Sequence, residues 1–129
     1  MNPVIHFEMP AIDRARVSDF YSKTFGWFTK TLGNEMGGYV VVGTTESDEK
    51  GTPLKPGAIN GGFYQRTDDP LSHAPSVVIS VEDLNEYMKK VTAGGGKIIG
   101  EPMDIPGVGK FISFIDTEGN RVSMLQPFA

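Results

Sequence analysis

The spacing of apolar positions changes several times along the chain, and each change predicts an element. Val4-Ile5-His6-Phe7-Glu8-Met9-Pro10 is short, rich in strand formers and closed by a proline, which predicts a first strand. Side chains alternate across a strand, so Ile5, Phe7 and Met9 share one face, while His6 and Glu8 share the other. Asp13 suits an N-cap ahead of Arg14-Ala15-Arg16. Val17, Phe20, Tyr21 and Thr24/Phe25 then recur at helical spacing up to Gly26, a usual stop. Further strands are predicted at 27–32, 38–44 and 59–65, with a turn at 33–35. The Gly61-Gly62 pair in the last of them predicts a bulge or a close backbone approach. Residues 45–58 are polar and contain Gly and Pro. They predict a loop without regular structure, either a flap over a site or a solvated surface segment.

After a linker at 66–75 the pattern restarts. A strand at 76–81 leads to Glu82-Asp83, which open a helix with Leu84, Tyr87, Met88 and Val91 on one stripe. Gly94-Gly95-Gly96 stop it. A strand at 97–100, a loop at 103–110, a strand at 111–115, a tight turn at 116–120 and a last strand at 121–126 follow. The offset from Asp13 to Asp83 equals that from Gly26 to Gly96, which makes Ser76 the counterpart of His6. The repeat predicts an α+β fold: two tandem βαβββ modules forming a curved eight-stranded sheet with outer helices and a central cleft. Residues 1–129 form one domain, with module one at about 1–66 and module two at about 75–129.

Composition narrows the partners. Lys and Arg number 12 against 16 Asp and Glu, for a net charge of −4, and no basic patch is present to attract nucleic acid. Cysteine is absent, which excludes disulfides, thiolate metal sites and a cysteine nucleophile. No apolar run approaches the ~18 residues of a membrane span. The N-terminus lacks the basic-then-apolar layout of a signal peptide, so the expected location is cytoplasmic.

Four stretches in this order carry a family resemblance: His6 ahead of Phe20-Tyr21, the helix end Phe20 to Trp27 (FYSKTFGW), the strand at 76–81 with Glu82-Asp83-Leu84, and Asp116-Thr117-Glu118-Gly119-Asn120 before the final strand. Together they resemble the glyoxalase/bleomycin-resistance/extradiol-dioxygenase superfamily, the vicinal oxygen chelate proteins. The resemblance covers nearly the whole chain and implies the tandem βαβββ fold, pairing as a homodimer, and a divalent metal held in the cleft by His and Glu. Such a metal acts as a Lewis acid on vicinal oxygens. His6 matches the first-strand ligand. Ser76 and Ser123 stand where metal-binding relatives carry His and Glu, and the strand at 59–65 has neither acid nor His. The chain therefore departs from the family's metal pattern at those positions.

By strand alternation Ser76, Val78 and Ser80 share a face with Arg121, Ser123 and Leu125, while Val77, Ile79, Val81, Val122 and Met124 turn to the helices. His6 as general base, tuned by Glu8, with Arg121 as anion anchor and Ser76 and Ser123 as further ligand contacts, suits a small organic carbonyl or carboxylate compound. Glu8 and Arg121 alternatively form a structural ion pair, and Trp27, Phe28, Tyr39, Phe63 and Tyr64 are read as core or dimer contact. The expected function is a glyoxalase/bleomycin-resistance-like small-molecule binder without the full metal site. The alternatives are a metal-dependent lyase or isomerase of glyoxalase type using His6 as a ligand, and an interaction module with a vestigial cleft.

Overall fold

The computed structural model describes residues 1–128. Eight strands and two α-helices make an α+β fold of two βαβββ repeats. The chain divides into two compact units, His6–Pro75 and the residues from Ser76 onward together with Met1–Ile5. No helix among the described residues is long and apolar enough to cross a membrane.

In the His6–Pro75 unit, β1 (Val4–Ala11) feeds α1 (Arg14–Phe25), followed by β2 (Phe28–Thr31), β3 (Val40–Gly43) and β4 (Asn60–Gln65). Asp13 caps α1 by accepting the Arg16 N–H at 3.0 Å. Gly26 ends the helix with φ 73°, a left-handed conformation that costs glycine nothing. β1 and β4 are parallel, and the other pairs in this unit are antiparallel. Val40, Val42 and Phe63 form the core, with Phe7, Met9, Val17, Tyr21 and Trp27 packed against it. Tyr21 stacks on Trp27 with ring centroids 4.6 Å apart. The helix stripe is narrower than its spacing predicts. Val17 and Tyr21 face the core, while Phe20 and Phe25 are exposed. Ile5, expected beside Phe7 and Met9, falls in the other unit. A single 3-10 turn occupies Asn34–Met36, where a simple turn was expected, and another occupies Pro70–Ser72 in the 66–75 segment.

The second unit contains β5 (Ser76–Ser80), α2 (Leu84–Ala93), β6 (Lys97–Ile105), β7 (Gly109–Ile115) and β8 (Arg121–Pro127). Asp83 caps α2 through the Glu86 N–H. The Leu84 N–H, also in the first turn, donates to Gln126 Oε1 at 2.8 Å. Val81, Leu84, Ile112, Phe114 and Met124 make the core, and Tyr87, Met88 and Val91 complete the helical stripe as predicted. Ile79 and Val122 pack there too, whereas Val77 is partly exposed. Asn2 Nδ2 donates to Ser80 O, and the Ser80 N–H donates to Pro3 O, which ties the N-terminus to β5.

The loop expected at 103–110 is instead mostly strand. Pairing with β7 breaks after Ile99 and resumes at Met103↔Phe111, with a bulge between. Gly100, at φ 72°, turns the chain at the break, and Pro102 has no N–H to give the ladder. The strand thus outlives an interruption that reads as an ending in the sequence. The turn before β8 matches its prediction: Asp116 Oδ1 accepts the N–H groups of Glu118 and Asn120, each at 2.9 Å.

Candidate functional site

β1 and β4 run in register with His6 beside Asn60 and Glu8 beside Gly62. Phe7, Met9 and Phe63 turn to the helix side, so His6, Glu8, Asn60 and Gly62 share the opposite face. Burial pushes the His6 imidazole below its ordinary value of 6.5, so the ring is neutral at neutral pH. Glu8 is fixed from β3's approach: the Tyr39 hydroxyl donates to Glu8 Oε2 at 3.1 Å. Burial first, and then the Glu8 charge, raise the phenol far above its ordinary range. Tyr39 therefore stays protonated and acts as a permanent donor.

The double glycine makes this arrangement possible on both faces. A Cβ at position 62 would overlap the Tyr39 hydroxyl, and one at position 61 would overlap Phe7. The close approach expected from Gly61-Gly62 is thus present twice, once toward each side of the sheet.

Asn60 closes the base of the same face. Its Oδ1 accepts the Thr44 N–H at 2.9 Å, and its Nδ2 donates to Ser47 Oγ at 2.9 Å and to Gly51 O at 3.1 Å. One amide therefore ties down the near half of the 45–58 segment, which also forms a bridge between Ser47 and Pro53. Tyr39 and Asn60 were not among the residues singled out for chemistry. Asn60 lies in register with His6 and Tyr39 just ahead of β3, placements that follow from strand order rather than from local pattern.

In the second unit, Ser76 and Ser123 are both buried. Ser123 Oγ pairs with Ser113 Oγ at 2.8 Å across β7 and β8. Ser76 Oγ is enclosed without a hydrogen-bond partner. Arg121 opens β8 and is engaged in an interaction of its own. Val78 and Leu125, on the same face as these serines, are buried as well.

A Glyoxalase/Bleomycin resistance protein/Dioxygenase superfamily model matches residues 4–124. The chain belongs to that superfamily. Its similarity to a glyoxylase-like domain-containing protein of Didymella fabae is 33% identity, over 88% of this chain and 84% of the relative. It is 27% identical to the anthracycline biosynthesis protein DnrV of Streptomyces peucetius, over 88% of this chain but 42% of that protein, so it spans less than half of that longer protein. A methylmalonyl-CoA epimerase structure from Streptomyces coelicolor shares the superfamily fold with a TM-score of 0.71 and 15% identity, covering 98% of this chain and 97% of the other.

Superfamily members often hold a divalent metal, and the donors here fit one poorly. Among the described residues no group of three or more His, Cys, Asp or Glu side chains converges. The residue in register with His6 is an amide with both ends already committed. Glu8 spends one oxygen on Tyr39, and the Ser123 hydroxyl is spent on Ser113. His6 and Glu8 together provide two donors, below the three protein ligands usual at a catalytic metal centre.

Proposed function

We propose that this superfamily member binds a small organic ligand bearing a carbonyl or carboxylate on the face carrying His6, Glu8 and Tyr39, without the complete metal site of its relatives. The observation that supports this is the Tyr39–Glu8 hydrogen bond on the face of a half-buried, neutral His6. Tyr39 fixes one Glu8 oxygen. The neutral imidazole has one nitrogen able to accept and one able to donate, so it can bind either end of a polar ligand group. Ser76, Ser123 and Arg121 are proposed as ligand contacts in the second unit, and the chain is proposed to pair as a homodimer.

A second reading rests on the same imidazole. A neutral His next to a carboxylate on one strand can take a proton from carbon α to a carbonyl, the step on which a lyase or isomerase would depend. The names of the relatives, glyoxylase-like and methylmalonyl-CoA epimerase, favour this class of chemistry. Calorimetric titration with a panel of 2-oxo acids, hydroxy acids and thioesters, run in parallel with proton-detected deuterium exchange at the α-carbon, separates the two. Saturable binding lost in His6→Ala without exchange supports the binder. Exchange abolished in His6→Ala supports the catalyst. No saturable binding anywhere in the panel defeats both.

A further inference from the structure

We propose a second ligand site in the His6–Pro75 unit, in the groove between the end of β1 and α1, for a small amphipathic monoanion such as an aryl carboxylate. The groove encloses about 410 Å³, within the roughly 300–1,000 Å³ typical of small-molecule sites. It shares no residue with the face carrying His6, Glu8 and Tyr39, so it stands or falls independently of the reading above.

Two kinds of side chain meet there. Ile12 and Phe20 are 67% and 55% exposed, far more than apolar residues of their size need to be, and Val17 and Pro10 continue the surface between them. Arg16 and Arg66 both line the same groove. Among the described residues neither has a carboxylate partner, and Arg66 reaches only His73 Nδ1, at 3.4 Å. An unpaired guanidinium beside apolar surface suits a carboxylate carried on a ring: the fork takes both oxygens and the ring covers the hydrocarbon.

The backbone holds the groove in shape before anything binds. The Arg66 N–H donates to Ala11 O at 2.9 Å, Gln65 Nε2 donates to Ile12 O at 3.1 Å, and Asp13 anchors the Arg16 N–H. Asp13 also sets the charge of the ligand. Two guanidiniums against one carboxylate leave a single positive charge, which matches a monoanion and disfavours a polyphosphate.

The test is a titration of the full ¹⁵N-labelled chain with 2-naphthoate, followed by amide shifts. 2-Naphthamide serves as the neutral analogue and pyrophosphate as the polyanion. Expected are saturable shifts at Ile12, Arg16, Phe20 and Arg66, with roughly tenfold weaker binding in Arg16→Gln and in Arg66→Gln, the loss expected for one charge-assisted hydrogen bond. His6→Ala should leave the titration unchanged. Both arginines are exposed, so thermal melts of the variants should match the parent. The proposal is overturned by shifts that fail to saturate, by shifts centred on His6 and Tyr39, by naphthamide or pyrophosphate binding as tightly as naphthoate, or by variants that bind like the parent.

Discussion

The hydroxyl of Tyr39 lies where a side chain at position 62 would begin, and it donates to Glu8 Oε2 from there. Position 62 must therefore be glycine for the phenol to reach the carboxylate. Gly62→Ala is expected to lose about 1–3 kcal/mol, the usual cost of overpacking a close-fitted site. In a Tyr39→Ala background the same change should cost much less, because the colliding ring is gone. Urea melts of the four proteins in this double-mutant cycle measure the coupling, and additive losses would contradict the geometry.

Tyr39→Phe keeps the ring and removes only the donor. A hydrogen bond to a charged group is worth about 1.5–3 kcal/mol, and this one is partly buried, so the loss should fall near the lower figure. The same variant should weaken any ligand that depends on a fixed Glu8 carboxylate. Denaturant midpoints and ligand titration on the same preparation check both effects.

His6 gives the stability a pH dependence of known sign. Its folded pKa lies below the unfolded value of 6.5, so between the two the unfolded chain binds more protons. Stability from this group is complete above pH 6.5 and falls as the pH drops toward the folded pKa. His6→Gln removes the proton difference, so the slope of unfolding free energy against pH should flatten in that window. An unchanged slope would mean that the ring is solvated.

Asp116 acts in a lower window. Hydrogen bonds from Asn120, chiefly through its side chain and then its backbone, hold the carboxyl below its usual 3.8. Its contribution is present above that value and lost as the pH falls through the folded pKa. Asp116→Ala should lower the melting temperature at pH 7 and converge with the parent in strong acid, which melts across a pH series would show.

Ser113 and Ser123 satisfy one another inside β7 and β8. Ser123→Ala alone should cost about 1–2 kcal/mol by stranding the Ser113 hydroxyl, while the paired Ser113→Ala/Ser123→Ala change should cost less than the single one. A ligand contact at Ser123 would appear as affinity lost in the double variant despite its smaller stability loss.

Local chemistry makes the helices and the repeat readable before any packing is known. Asp13 and Asp83 cap the helices, Gly26 turns α1 off, and the Leu84–Tyr87–Met88–Val91 stripe and the repeated offsets make the two βαβββ repeats legible. Each cap and stripe involves residues within a few turns of one another, and the offsets only compare two such local patterns. Other features depended on strand order and register. Tyr39 and Glu8 are 31 positions apart and meet because β3, β4 and β1 are neighbours. Asn60 looked inert beside a missing acid or His, yet its amide holds the 45–58 segment. β6 continues past Gly100 because β7 offers it a partner again at Phe111. Phe20 fits the α1 stripe by spacing but stays exposed, because Tyr21, Trp27 and Phe63 already fill the core beneath the helix. Periodicity assigns a side chain to a face; only tertiary packing decides which atoms already occupy the space there and which polar groups are left to bind something else.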